Sequence, residues 1–306
     1  MEVNENIPHL AHFIAKRITN KIVALDCLVL VTGPKGSGKS TFCLSLAHEI
    51  SKELAKLKHK NELKGLIGKE HTKKLRELAD YYFNLDHVRS VDKMGTFEMF
   101  TSQTLRKENA IILADDFSIT QNARQSQSNV NISIQKVITI CRPFRTVLIL
   151  NTVYEGLIDK SSRIMSDVQI HLLGVNPRTK TSIAKVFLHT TDQLSGKDYR
   201  KYFKWNGKRI KYWVAHLPPK DILDGYAQIR MQKTNEMIDS LDELTQEQAK
   251  EVKVSSRKKK GDALVEKYRD QVLAMHAAGK SIRAITRISP DLSDWWVSKI
   301  ISTKDE

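Results

Sequence analysis

The chain has 306 residues, of which 41% are hydrophobic and 28% are charged. It is long enough for one sizeable α/β core and a small second module, and disorder throughout is excluded. The 50 Lys and Arg residues outnumber the 35 Asp and Glu residues and give a net charge of +15, which favours a polyanionic partner, nucleic acid before membrane. Cys27, Cys43 and Cys141 form no CxxC pair, which argues against a disulfide framework and a zinc site. Because we find neither a signal-peptide pattern nor an apolar run of about 18 residues, we expect a soluble intracellular protein with no membrane partner.

Charge is distributed unevenly along the chain. Residues 176–213 carry a net charge of +8, residues 232–251 carry −4, and residues 252–306 carry +5. The acidic segment is followed by KVSSRKKKG and contains few large apolar residues, which predicts a partly helical tether that ends in a flexible basic linker. We therefore predict a first domain over residues 1–231, a charged linker over 232–261 that ends near Gly261, and a second domain over 262–306.

A glycine-rich loop follows the first apolar run. Residues 28–31 predict a buried parallel strand, GPKGSGKST follows at residues 33–41, and FCLSLAHEI continues with near-helical apolar spacing. The spacing of Gly33, four residues, Gly38, Lys39 and Ser40 is the Walker A pattern, in which backbone N–H groups converge on phosphate oxygens at a helix N-terminus. The residues predicted to bind ATP are Gly33, Pro34, Lys35, Gly36, Ser37, Gly38, Lys39, Ser40 and Thr41. We expect Lys39 to bridge the β- and γ-phosphates and the Ser40 hydroxyl to ligate Mg²⁺.

On this motif the chain resembles the P-loop NTPase superfamily over roughly residues 20–175. The resemblance implies an α/β fold with a parallel-sheet core, and ATP and Mg²⁺ as cofactors. The deviant loop of partition ATPases needs a second lysine where this chain has Pro34, so the sequence argues against that subgroup.

A second apolar strand, predicted at residues 110–114, ends in Asp115 and Asp116, the Walker B form. We expect Asp115 to hold Mg²⁺ through water, and Asp116 to orient the attacking water where many members of the superfamily have glutamate. Aspartate is one methylene shorter, so slow hydrolysis remains open. The alternative is a buried strand that ends in an acidic turn.

A third strand, predicted at residues 146–150, ends in Asn151. ATPases with a strand inserted between the two Walker strands carry a polar γ-phosphate sensor at this position, and Asn151 is our candidate. The alternative is that Asn151 only begins a turn. Residues 82–88 predict a further strand, and the resulting order is typical of a RecA-like or AAA-like core. The chain has neither HRD nor DFG, which excludes a protein kinase.

Three arginines flank the third strand: Arg142, Arg145 and Arg163. In oligomeric ATPases an arginine supplied by a neighbouring subunit stabilises charge on the transferring phosphate. The alternative for each is a surface or structural role. The order of these elements resembles that of virus- and plasmid-encoded DNA-motor ATPases, including the packaging and Zot-like groups, and implies a homo-oligomer.

Aromatic side chains alternate with cations over residues 176–213. Cations contact phosphates and aromatic rings stack on bases, so this pattern suits nucleic acid. The alternative is a hairpin with its turn at residues 205–208, whose aromatic residues pack on the core while the lysines stay in water.

The C-terminal residues predict three short helices, over 263–278, 282–288 and 294–302, with Gly279 ending the first and Ser281 and Ser293 capping the others. The run AAGKSIRAITRISPDLSDWWVSKII resembles the helix-turn-helix of resolvases and invertases, which implies an all-α domain that binds double-stranded DNA. The residues predicted to contact DNA are Lys258, Lys259, Lys260, Lys280, Arg283, Ser293, Trp296 and Lys299. The alternative is a protein-interaction or oligomerisation module in which Trp295 and Trp296 pack in the core.

Together these resemblances imply a magnesium-dependent ATPase with a tethered helix-turn-helix domain, which translocates, packages or organises DNA for a virus or mobile element. Two alternatives stay open. One is a DNA-assembly regulator of the transposition or partition type that ATP controls. The other is a transcriptional regulator whose glycine-rich loop senses a nucleotide.

Overall fold

The computed structural model describes residues 6–23, 25–90, 106–115, 138–139, 141–158, 160–192, 197–289 and 291–302. The chain divides into two compact units, Met1–Met231 and Gln232–Glu306. Among the described residues, no helix combines the length and apolarity that crossing a bilayer requires.

The first unit is built on a mixed sheet in which neighbouring strands follow the order β10-β6-β5-β1-β4-β3-β2, with β7 also paired to β6. Strands β8 and β9 form a separate two-stranded hairpin. The strands are β1 (Cys27–Thr32), β2 (Val88–Ser90), β3 (Ile111–Asp115), β4 (Val147–Asn151), β5 (Val168–Asn176), β6 (Thr181–Thr191), β7 (Asp198–Tyr202), β8 (Lys204–Trp205), β9 (Lys208–Arg209) and β10 (Trp213–His216).

Five strands of this sheet are parallel, in the order β2, β3, β4, β1 and β5. As the sequence predicts, β4 lies between the two Walker strands β1 and β3. The prediction of a parallel sheet is wrong beyond β5, because β6, β7 and β10 pair antiparallel. Only four residues separate β5 from β6, a connection too short for the crossover that a parallel neighbour needs.

The helices of the described residues are α1 (Ile7–Ile18), α2 (Lys39–Lys58), α3 (Lys60–Leu63), α4 (Gly68–Tyr82), α5 (Lys160–Ile164), α6 (Lys220–Ala277), α7 (Ile282–Ile288) and α8 (Asp294–Ser302). The segment predicted to form a strand over residues 82–88 instead contains the end of α4 and a 3₁₀ turn, Leu85–His87, and β2 begins only at Val88.

Strand β1 is buried on both faces, as a central strand of a parallel sheet should be. Its alternate side chains serve two apolar clusters. Val29 and Val31 pack with the buried faces of α1, α2 and α4. Leu28 and Leu30 pack on the opposite face with apolar residues that include Ile112 of β3. The sheet is therefore covered on both faces beneath the glycine-rich loop.

Residues 176–213, where aromatic side chains alternate with cations, run from the end of β5 through β6 to β9 and into β10, and the predicted hairpin is confirmed between β8 and β9. Asn206 and Gly207 have φ angles of +47° and +77°, the left-handed pair that a two-residue type I′ turn requires. Phe203 and Trp213 are buried in the core of the first unit, and Trp205 stacks on His9 with ring centroids 4.7 Å apart. These aromatic rings therefore support the fold.

Helix α6 begins after two prolines and runs from Lys220 to Ala277. Residues 232–261, predicted as a partly helical tether that ends in a flexible basic linker, lie within this helix. From Lys220 to Ala277 the sequence contains no proline and only two glycines, Gly225 and Gly261, and it is rich in Lys, Glu, Gln and Ala, which have high helix propensity.

In the second unit the end of α6 packs with α7 and α8. Its buried apolar residues are Val272, Ile285, Leu292, Val297 and Ile300. Gly279 adopts a φ of +75°, and its N–H donates to the His276 carbonyl at 2.9 Å, which ends α6 as predicted.

Candidate nucleotide-binding site

The glycine-rich loop joins β1 to α2 and lies against the ribbon formed by β5 and β6. Gly38 has a φ of +79°, and a Cβ placed on it would lie 2.5 Å from Val175 Cγ2. A Cβ on Gly33 would lie 2.9 Å from the Leu172 carbonyl oxygen. The ribbon therefore leaves no room for side chains at these two positions of the loop.

Lys39 is the first residue of α2, a helix of 20 residues. Its side chain is 8% exposed, and its Nζ donates to the Pro34 carbonyl oxygen at 3.0 Å. The ammonium group thus lies across its own loop, where the first N–H groups of the helix also point. A cation beside free N–H groups at a helix N-terminus is an anion-binding arrangement.

Ser40, Asp115 and Asn151 meet at the carboxyl edge of the sheet. The Ser40 hydroxyl donates to Asp115 Oδ1 at 2.8 Å, and Asn151 Nδ2 donates to the same carboxylate oxygen and to Ser40 Oγ, the latter at 3.2 Å. Asp115 is 5% exposed and Asn151 is fully buried. The structure therefore brings together three residues that the sequence predicts separately.

Sequence reasoning missed a fourth member of this cluster, Tyr226. It lies near the start of α6, is 7% exposed, and its hydroxyl donates to Asp115 Oδ2. Burial raises the pKa of this hydroxyl well above its usual range, and the negative charge of Asp115 and the hydrogen bond to it raise that pKa further. Tyr226 is therefore protonated at neutral pH and acts as a donor. Its 111-residue separation from Asp115 leaves no local pattern that could have indicated the contact.

Two further atoms bear on what this site can hold. Ser37 Oγ and Asn151 Oδ1 are buried and have no hydrogen-bond partner among the described residues. Buried polar atoms are nearly always paired, so both are ready to contact a polar ligand. Hydroxyl and carboxylate oxygens suit Mg²⁺, and the Lys39 ammonium group suits phosphate. The donor set therefore fits a magnesium-bound nucleotide.

The remaining predicted loop residues vary in exposure. Pro34, Lys35 and Gly36 are exposed, whereas Thr41 is partly buried at the start of α2. Asp116, the predicted water-orienting carboxylate, lies outside the described residues.

Among the candidate arginines, Arg163 and Arg145 form ion pairs with described residues of the same chain. Arg163 Nη1 lies 3.8 Å from Glu155 Oε1, and Glu155 also pairs with Arg200. Arg145 Nη1 lies 3.5 Å from Glu108 Oε1, while Arg142 is exposed. That any of these arginines acts on the nucleotide bound by a neighbouring subunit stays a prediction.

The residues predicted to contact DNA belong to the second unit. Lys280, Arg283, Ser293 and Lys299 are exposed. Lys258, Lys259 and Lys260 lie along α6. Trp296 packs partly buried against the apolar cluster of this unit. Its neighbour Trp295 is 62% exposed, and Lys299 Nζ lies 5.4 Å from the centre of a Trp295 ring.

No family model matches the chain, and no curated protein matches it. The solved structures to which it is similar include the N-terminal domain of zonular occludens toxin from Neisseria meningitidis, with 16% identity over 59% of this chain and 96% of that chain and a TM-score of 0.31. A second is the genome-packaging NTPase B204 from Sulfolobus turreted icosahedral virus 2 in complex with AMP, with 12% identity, coverage of 59% and 98%, and a TM-score of 0.31. A third is the flagellar accessory protein FlaH from Methanocaldococcus jannaschii, with 16% identity, coverage of 68% and 92%, and a TM-score of 0.33.

Proposed function

We propose that the chain is a magnesium-dependent ATPase that acts on double-stranded DNA as a homo-oligomer, to translocate, package or organise it for a virus or mobile element. The observation that carries the enzymatic part is the cluster of Ser40, Asp115 and Asn151 beside Lys39. A glycine turn without a ligand does not account for the hydroxyl, the buried carboxylate and the buried amide that meet at the start of the following helix.

Each residue of the site has a distinct task in this proposal. Lys39 exchanges the Pro34 carbonyl oxygen for phosphate oxygens, a stronger partner because it is charged. Ser40 Oγ ligates Mg²⁺, which neutralises charge on the phosphates when bound, and Asp115 accepts hydrogen bonds from the metal's water ligands. Asn151 Oδ1, which is buried without a donor among the described residues, accepts a hydrogen bond from the attacking water.

Charge supports the DNA part of the proposal. Residues 252–306 carry a net charge of +5 and residues 176–213 carry +8. Lys280 is exposed just before α7, Arg283 is exposed in its first turn, and Lys299 is exposed on α8. Cations on the surface of a small helical unit can neutralise duplex phosphates, and the affinity they supply depends on salt concentration rather than on base sequence.

The test is steady-state ATP hydrolysis without DNA, with single-stranded DNA and with long duplex. We expect magnesium-dependent turnover that duplex DNA stimulates. Lys39→Ala should abolish nucleotide binding, whereas the control Lys60→Ala, which changes an exposed lysine outside the loop, should retain it. Failure of the unmodified chain to bind ATP with Mg²⁺ would contradict the proposal.

The same assay separates the alternative function. Tight ATP binding with turnover that duplex DNA does not stimulate would identify an ATP-controlled DNA-assembly regulator instead of a motor. In that case ATP binding alone, rather than continuous hydrolysis, should change the affinity of the chain for DNA.

A further inference from the structure

The first turns of α6 are held on the first unit by contacts along their length. Ile222 packs against the apolar core. Gly225 passes so close to Leu85 that a Cβ on it would lie 2.3 Å from Leu85 Cδ1. At the next position, Tyr226 reaches the Asp115 carboxylate. The start of this helix therefore contacts the magnesium-binding residues directly.

The hydrogen bonds of Asp115 nearly exhaust its capacity to accept. A carboxylate offers about four lone-pair directions, two on each oxygen. Oδ1 already accepts from Ser40 and Asn151, and Oδ2 accepts from Tyr226. One direction remains, on Oδ2, whereas a magnesium ion usually keeps several water ligands. A second hydrogen bond from these waters to Asp115 therefore has to displace one of the present donors.

Of the three donors, Tyr226 is the one that can leave without dismantling the site. Ser40 can ligate Mg²⁺ through its oxygen while its hydrogen still points at Asp115, because a hydroxyl both donates and accepts. Asn151 is fixed at the end of β4, paired with β1 and β3 on either side. Tyr226 extends from a helix that begins only six residues earlier, so its release requires no break in the sheet.

We propose that Tyr226 and the water ligands of Mg²⁺ compete for Asp115 Oδ2, so that binding of the magnesium nucleotide releases the first turns of α6. The inference rests on the proposed nucleotide site and adds to it a mechanical consequence. Because α6 is continuous from Lys220 to Ala277, the segment released is the covalent connection from the nucleotide site to the second unit.

The test is the affinity for a slowly hydrolysed fluorescent ATP analogue, with Mg²⁺ and with EDTA. We expect Tyr226→Phe to lower Kd at least about fivefold with Mg²⁺, since it removes a competing hydrogen bond to a charged group, and to leave Kd in EDTA unchanged. The matched control Tyr199→Phe, at a tyrosine that is 47% exposed, should bind as the unmodified chain does. Equal or weaker magnesium-dependent binding by Tyr226→Phe would overturn the inference and show that the tyrosine only supports Asp115.

A second measurement follows the local opening of α6 through backbone hydrogen exchange. Hydrogen exchange of the backbone amides of residues 223–231 should accelerate when the magnesium nucleotide binds to the unmodified full chain, and should already be fast in Tyr226→Phe. Unchanged or slower exchange on binding would overturn the inference even if the chain binds ATP. Absence of ATP binding by the unmodified chain would instead refute the proposed function and the inference together.

Discussion

The Ser40 hydroxyl and the Asp115 carboxylate lie 2.8 Å apart although 75 residues separate them in the sequence. Ser40 follows β1 and Asp115 ends β3, with only β4 between the two strands. Parallel strands bring their carboxyl ends to one edge of the sheet, where ligands of open α/β folds bind. Since β4 ends in Asn151, the same geometry adds an amide to the pair.

Two glycines of the glycine-rich loop give a matched test of how closely the β5–β6 ribbon packs on this loop. Gly36 and Gly38 both have a φ of +79°, but a Cβ on Gly36 would meet nothing within 4 Å whereas one on Gly38 would lie 2.5 Å from Val175 Cγ2. Left-handed backbone costs an alanine about 1 kcal/mol in either case, and overpacking adds about 1–3 kcal/mol at Gly38.

We therefore expect Gly38→Ala to lower the free energy of unfolding more than Gly36→Ala and to abolish ATP binding. Denaturant unfolding and nucleotide titration of both variants measure these effects. Equal destabilisation by the two substitutions would show that the ribbon does not constrain the loop.

Asn151 gives a test of the sensor role. If its Oδ1 positions the attacking water, Asn151→Ala should reduce kcat at least about tenfold, since loss of one donor or acceptor aimed at a reacting group typically costs more than that. Kd for ATP should change far less. Steady-state kinetics beside the exposed control Asn235→Ala provide the measurement, and equal losses in kcat and in ATP affinity would instead assign Asn151 a purely structural role.

The sequence predicts part of this edge of the sheet because Asp115 and Asn151 each stand at the end of an apolar run of strand length. Asp115 and Asn151 are recognisable by position alone. Tyr226 is not, because a tyrosine on an amphipathic helix has the same local pattern whether it packs in a core or reaches a carboxylate. The sequence does not decide the conformation of residues 232–261 for another reason. A charged segment without proline is compatible with a solvated helix and with a linker.

A buried histidine makes the stability of the first unit depend on pH. His87 is 2% exposed, and its Nδ1 lies 3.0 Å from the Tyr82 carbonyl oxygen and 3.1 Å from that of Ile111. Burial, assisted by the charge of Lys107, lowers the pKa of this imidazole below its ordinary value. The folded state therefore keeps His87 neutral at a pH where the unfolded chain already binds a proton.

Because the unfolded state binds more protons, stability falls as pH drops below about 6.5, the ordinary histidine value. We expect a lower free energy of unfolding at pH 5.5 than at pH 7.5, with His87 supplying at most about 1.4 kcal/mol per pH unit. Burial also lowers the pKa of His48, so two histidines contribute to the pH dependence of stability. His87→Asn should therefore reduce this pH dependence without abolishing it. Urea unfolding of each variant at both pH values measures the change in the free energy of unfolding. If this change is as large in His87→Asn as in the exposed control His276→Asn, the prediction is contradicted.

The DNA-binding part of the proposal depends on cations of the second unit, whose helices form their own apolar cluster. Lys280 and Arg283 are exposed and contribute nothing to that cluster. Replacing both with alanine should leave thermal stability unchanged, weaken duplex binding at every sequence tested, and reduce the slope of log K against log salt by about two, one for each phosphate that is no longer neutralised. A fluorescence-anisotropy titration at several salt concentrations measures that slope. The matched double variant Lys60→Ala/Lys69→Ala removes two exposed cations from the first unit, so its net charge equals that of the first double variant. An identical decrease in slope for this control would mean that total charge, and not the surface of the second unit, determines DNA affinity.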